Sequence, residues 1–249
     1  MLKPITLSVV CFFIIYISPL SVLAQTSVDS SENKKIAYTN IQEKFYKAIG
    51  EQSRLYNGIE YNGYDRKFLG NAGFMDIVDL HKGSVIYDGY LYKNVDMFYD
   101  IYQDEVIIQL YQSFLKINLL SEKVDSFDLL DHHFIRIKNN PAVATSLKTG
   151  FYDELYGGKI QVLARRTKSI QRKYDIGGSI DSYFSSSVDY YLFKNGEYYN
   201  VNSQGAFLNA LKDKKKDIQQ FIKANKIKIR KTQEESMVKI AAYYDHITE

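Results

Sequence analysis

The sequence predicts an α+β fold: an antiparallel β-meander, curled or partly closed, with an N-terminal helix and a helical C-terminal segment packed on it. Three observations predict it. Aromatic residues make up 14% of the chain, with 22 Tyr, 14 Phe and no Trp, and tyrosine favours half-buried pleated surface. Between residues 57 and 202, apolar and polar residues alternate in short runs separated by turn dipeptides. From residue 203 onward the apolar spacing changes from two to that of a helix.

Residues 1–24 read as a cleavable signal peptide. Lys3 supplies a short positive region, Ile5 to Leu20 is almost continuously apolar, and Val22 and Ala24 stand at the −3 and −1 positions of a small-residue cleavage site before Gln25. The apolar run is about 16 residues, short of the roughly 20 that a spanning helix needs. Cys11 lies inside this run behind Val10, so it does not read as a lipidated cysteine. Cleavage leaves 225 of the 249 residues and lowers the formal charge from +3 to +2. The mature protein then has no cysteine, hence no disulfide, thiolate nucleophile or cysteine-based zinc site. Near-neutral charge argues against a nucleic-acid binder. No other stretch is apolar and long enough for a transmembrane helix in the mature protein. The expected location is the periplasm or outer-membrane periphery of a Gram-negative bacterium, or the exterior.

Residues 25–36 are polar and read as a disordered leader, followed by a single domain over 37–249. Thr39 and Gln42 form a capping box before Ile41, Phe45, Ala48 and Ile49, which predicts a helix running to about Gly50. Asn57-Gly58 and Asn62-Gly63 are turn signals that begin the β-rich region, 57–202. Val85, Tyr87 and Leu91 share a face around an Asp88-Gly89 turn. Val95, Met97, Tyr99 and Ile101 follow, then Val106, Ile108 and Leu110, then Leu115, Ile117 and Leu119. Further strands are predicted at Phe134–Ile137 and Ile160–Arg166. Tyr190–Lys194 and Glu197–Val201 flank Asn195-Gly196, the clearest hairpin signal in the chain. In the helical region, 203–248, Phe207, Leu208 and Leu211 mark a short helix, and Ile218, Phe221 and Ile222 a second. Thr232 and Glu235 form a capping box before Met237, Ile240, Ala241 and Tyr244.

The order of LYNGIEYNGY at 55–64, GSVIYDGYLYKNVDMFYDIYQDEVI at 83–107, GFYDELYGGKIQVLARRTKSI at 150–170 and YYLFKNGEYYNV at 190–201 resembles an uncharacterised group of exported proteins from Bacteroidetes-type bacteria. The resemblance covers most of the mature chain. It implies a bacterial envelope and assigns no activity, cofactor or site residue.

No catalytic motif stands in the sequence. There is no G-x-S-x-G, H-E-x-x-H, P-loop or G-x-G-x-x-G, and no cofactor is implied. The best constellation is Asp125, Asp128, Asp131, His132 and His133. Its carboxylates and imidazoles suit a divalent metal or acid–base work. The stronger reading is a polar turn before the strand at Phe134, because adjacent histidines in a strand point to opposite faces. Asp96, Asp100 and Asp104 share a face and read as one solvated edge. Arg165, Arg166, Lys168, Arg172 and Lys173 form a basic run that leads into a Gly- and Ser-rich stretch, 175–187. That run could bind an anion or a partner, and its plainer reading is a charged edge strand protected from aggregation. Six Tyr-Asp pairs recur along the chain. Sugar stacking is one use for such tyrosines, and strand-face packing is the commoner one. The leading functional expectation is a non-enzymatic envelope binding or assembly protein whose partner is an envelope protein or a lipid. The alternatives are a carrier of a lipophilic ligand in a curved sheet, and a hydrolase of envelope polymers acting through carboxylates.

Overall fold

The structure, a computed structural model, describes residues 53–64, 68–142, 147–174, 180–229 and 232–248, with scattered positions between 36 and 50. The expected signal peptide, its expected Ala24–Gln25 cleavage site and nearly all of the expected polar leader lie outside the described residues. Of the expected N-terminal helix, Asn40, Ile41, Lys44 and Ala48 are described and are helical. The chain divides into units of residues 1–42 and 43–249, and every strand of the sheet belongs to the second.

Twelve strands form one sheet. They are β1 (Gly58–Glu60), β2 (Phe68–Leu69), β3 (His81–Tyr87), β4 (Tyr90–Asp100), β5 (Glu105–Gln109), β6 (Lys116–Leu119), β7 (Val124–Leu129), β8 (His132–Ile137), β9 (Gly150–Gly157), β10 (Gln161–Tyr174), β11 (Ile180–Lys194) and β12 (Glu197–Asn200). Their spatial order is β1-β6-β5-β4-β3-β7-β8-β9-β10-β11-β12, antiparallel throughout, and β2 pairs with β11 in parallel. Three helices come after the last strand: α1 (Gln204–Ala210), α2 (Lys215–Ala224) and α3 (Gln233–His246). Helices segregated from an antiparallel sheet make the protein α+β. Among the described residues no helix is long and apolar enough to cross a membrane.

Turn chemistry sets the hairpins. Asp88-Gly89 and Asn195-Gly196 carry positive φ at both positions (53° and 78°, 52° and 82°), as a type I′ turn requires. Leu130-Asp131 does the same at 52° and 61°, although leucine gives no turn signal.

The sheet is not closed, but it curls. Its first part wraps around an aromatic core in which Phe127 and Phe134 stack at 4.7 Å. Tyr99 meets both rings edge-on, at 5.2 and 5.1 Å. Met97, Val106, Ile108 and Phe151 fill in around them. The curl brings the end of β4 to the middle of β10, where the Lys168 N–H donates to the Ile101 carbonyl at 3.2 Å. The second part, β9–β12, is covered on one face by the helices. Phe207, Leu211, Ile218, Met237 and Ile240 bury against Val162, Leu192 and Val201. A smaller cluster with Tyr152 and Leu163 at its centre forms separately from both.

Several expectations need correcting. The acidic stretch before Phe134 is not a turn. Asp125 and Asp128 belong to β7, and only Leu130-Asp131 turns. A register shift between Ile86 and Tyr87 pairs Ser126 and Val124 with consecutive residues and leaves Asp125 out. That bulge breaks the period of two by which a strand is recognised. The strand β11 begins at Ile180, inside the Gly- and Ser-rich stretch that follows the basic run. Asp96, Asp100 and Asp104 are not one solvated edge. Asp96 is exposed beside Lys82. Asp100 is fully buried and accepts four hydrogen bonds, from the Tyr61 and Tyr64 hydroxyls and the Tyr102 and Gln103 N–H groups. Burial, then the Asp100 carboxylate, pushes the Tyr64 hydroxyl far above its usual pKa. Asp104 sits in the β4–β5 turn and accepts from Tyr99 and Arg165. The Thr232 hydroxyl lies 3.2 Å from the Ser236 hydroxyl and does not cap α3.

Candidate functional site: the histidine cleft and the β10–β11 arm

The tight β7–β8 hairpin sets Asp128 opposite His133 and Leu129 opposite His132. The two histidines then separate by partner. His133 Nδ1 lies 2.6 Å from Asp128, which also accepts from the Ser84 hydroxyl on β3. Burial pushes the Asp128 carboxyl up, but the Ser84 and His133 hydrogen bonds outweigh it and hold the group below the usual carboxylate range. This cluster is exposed, at 59% for the Asp128 side chain and 43% for His133. Asp125 and Asp131 also face solvent.

His132 turns the other way. Its Nδ1 lies 2.8 Å from Asp153 on β9, whose side chain is only 2% exposed. A carboxylate can only accept, so Nδ1 carries the hydrogen. The edge of Phe74 meets the ring at 4.9 Å. The same Asp153 oxygen accepts from Arg166 Nε at 2.9 Å and Nη2 at 2.6 Å. Arg166 continues to Glu234 on α3, and Glu234 accepts from the Tyr190 hydroxyl at 2.9 Å. Burial opposes the Arg166 charge, but Glu234 and Asp153 raise its pKa overall. Burial and then Glu234 push Tyr190 up to about 12. His132, Asp153, Arg166, Glu234 and Tyr190 thus form one chain that ties β8, β9, β10, α3 and β11 together.

Both histidines border an open cleft of about 760 Å³, with His81, Ser84, Lys93 and Asp131 along its walls. Within it Ser84, Asp128 and His133 are engaged with one another. Among the described residues no three histidine or carboxylate side chains converge as metal ligands.

The basic run divides in two. Arg165 pairs with Asp104 at 3.2 Å, and Arg166 with Asp153 and Glu234. The Lys168 side chain is 2% exposed. Its Nζ donates to the Asn71 carbonyl (2.7 Å), the Gly73 carbonyl (2.9 Å) and Asp76 (2.6 Å). These three cations are internal ties. Arg172 and Lys173 are exposed, and neither makes an ion pair among the described residues. The acids that engage Arg165, Arg166 and Lys168 stand far off in sequence. Sequence reasoning missed Asp76, Asp153 and Glu234, and local spacing gave no signal for them.

Arg172 and Lys173 stand on an arm. β10 and β11 pair without a register shift from Gln161↔Phe193 to Tyr174↔Ile180. β9 covers β10 only from Gln161 to Ala164. Beyond that the two strands run on as a ribbon, held at its base by the Lys168 tie. On the outer edge of β11, β2 pairs at Ser182 and Tyr183, and β12 pairs from Tyr191 to Lys194.

No protein family, no curated protein and no solved structure matches this chain.

Proposed function

We propose that the mature protein, residues 25–249, is an exported, non-enzymatic binding or assembly module of the bacterial envelope that engages its partner through the β10–β11 arm. One observation carries this reading: past Ala164 the β10–β11 ribbon runs on beyond the cover of β9, with Arg172 and Lys173 exposed on it. An uncovered strand edge is a template for another chain. The other readings have less to stand on. The interior that a lipid carrier would keep open is filled by Met97, Tyr99, Phe127 and Phe134, none more than 1% exposed. Of the carboxylates expected for a hydrolase, Asp128 is engaged by Ser84 and His133, and Asp131 lies exposed in the β7–β8 turn.

The test is to recover residues 25–249 from the protein's own envelope extract beside a variant carrying Arg172→Glu and Lys173→Glu. Protein and extractable lipid are identified in both samples. A stoichiometric protein that accompanies the parent and not the variant is the expected result. A protein that accompanies both equally would remove the arm as the interface. A stoichiometric lipid would move the assignment to a carrier.

A further inference from the structure

The outer edge of β11 is occupied at both ends and empty between them. β2 takes Ser182 and Tyr183. At the other end the Tyr190 N–H donates to the Asn202 side chain at 2.6 Å, and the Tyr190 carbonyl accepts from the Val201 N–H at 2.8 Å. Among the described residues, no backbone hydrogen bond on this edge involves Ser185 to Asp189.

Two independent facts fix which groups face outward. In an antiparallel pair, alternate residues turn both backbone groups toward the partner or away from it. Tyr190 turns both of its groups outward. The Lys168 N–H goes to Ile101 rather than to β11, so its opposite residue, Ser186, is also turned away from β10. The register is unbroken between these points, so Val188 and Phe184 follow the same parity. The Ser186 N–H and carbonyl, the Phe184 carbonyl and the Val188 N–H therefore lie along an unfilled stretch of ladder.

We infer that this stretch is a strand-acceptor slot that binds a short extended segment of a partner protein by β-augmentation. The slot presupposes that the arm is the interface, and it names what the arm holds. It spans about five residues, or about 17 Å. A long strand, including the β11 of a second copy, would run into β2 at one end and Asn202 at the other. The occupant is therefore a terminus or loop segment able to enter and leave within that length. Natural edges are commonly blunted by lysine, proline or a bulge, and this one has none of them. It carries Ser185, Ser186 and Ser187, with Ser186 and Ser187 exposed, so the backbone is accessible. Phe184, Ser186 and Val188 share a face, and the Phe184 ring packs among Tyr64, Phe68 and Tyr102 at 5.1 to 5.6 Å. The opposite face presents Ser185 and Ser187. The matching segment alternates apolar and small polar side chains and has no proline where its own N–H groups meet β11.

The test uses residues 25–249 and an acetylated, amidated hexapeptide of alternating Val and Thr as the probe. Amide hydrogen exchange is read at single residues. In the protein alone, the Ser186 and Val188 amides should exchange faster than those of Ser185 and Ser187, which face β10. Saturating peptide should slow Ser186 and Val188 by about tenfold or more. Only one of two peptides, N-methylated on all Val or on all Thr, should retain this effect, because one edge of the peptide pairs. Ser186→Pro removes an outward N–H without touching the β10 ladder and should abolish protection. Ser187→Ala should preserve it. Ser186 and Val188 amides already protected in the protein alone, or left unprotected at millimolar peptide, would overturn the slot. If the slot fails while Arg172→Glu with Lys173→Glu still releases the captured protein, the arm reading stands without it.

Discussion

The two halves of the sheet bury their apolar surface in different ways. From β3 to β8 the sheet curls on itself, and aromatic rings from facing strands fill the interior. From β9 to β12 it stays open, and three helices cover one face. The first half needs no second layer, so its stability rests on ring-to-ring packing between strands close in sequence. The second half depends on residues from 204 onward reaching back to strands formed much earlier in the chain. Its polar ties differ accordingly. The Asp153–Arg166–Glu234 chain joins sheet to helix, and Asp245 on α3 accepts from the Lys159 N–H at 2.7 Å at the β9–β10 turn. Charge in the curled half serves loops, as where Asp100 gathers the two hydroxyls of the 61–64 segment.

This contrast can be broken at named positions. Phe127→Ala should have the largest effect, a loss of about 4 kcal/mol in denaturant unfolding, because it deletes the middle of the aromatic core. A loss under about 1 kcal/mol, the size of an average point mutation, would mean the curl is held by something other than its rings. Phe207→Ala should cost about 3 kcal/mol. Amide exchange should then accelerate in α1–α3 while β3–β8 stays protected; uniform acceleration would show that the halves are one cooperative unit. Asp153→Ala should cost roughly 3 kcal/mol, because it removes one of the two carboxylates that pair with the buried Arg166 charge. Adding Arg166→Met should restore part of that loss. Lys168→Met should cost about 2 kcal/mol, since the buried Gly73 carbonyl and the half-buried Asn71 carbonyl lose their donor, and should release the 71–77 segment as judged by exchange. The smallest effect is expected at Asp128→Asn, within about 0.5 kcal/mol at neutral pH, as the cluster is exposed. The Asp128 carboxyl is held below its usual value in the fold. Its contribution is therefore present above the ordinary carboxylate range and lost as the pH falls through its folded value. Asp128→Asn should flatten that part of the stability profile and leave the rest unchanged.

What was legible in the sequence was local. Asp88-Gly89 and Asn195-Gly196 needed only their own backbone angles to announce a hairpin. The helix faces at Phe207, Ile218 and Ile240 were read from spacing alone. The meander and its α+β class came from these pieces. What was hidden depended on partners distant in the chain. β7 was masked by a bulge that drops Asp125 out of register. The early part of β11 was masked by three serines whose place in a strand is set by β10, not by their own preference. Arg165, Arg166 and Lys168 looked like a free basic run because Asp104, Asp153 and Asp76 lie between 13 and 92 residues away. The candidate site was half legible. The sequence singled out His132, His133 and Arg172, but the buried carboxylate that orients His132 and the open edge beside Ser186 exist only once the strands have paired.

The unbroken register between β10 and β11 also has a mechanical meaning. Fourteen residue pairs lie in line along one axis, and β12 and β9 brace the same end of the ribbon. A pull along that axis loads the neighbouring ladders in shear, so their hydrogen bonds resist together. A pull across it would unzip them one at a time. The arm is stiff in the direction in which it projects and yielding at right angles to it.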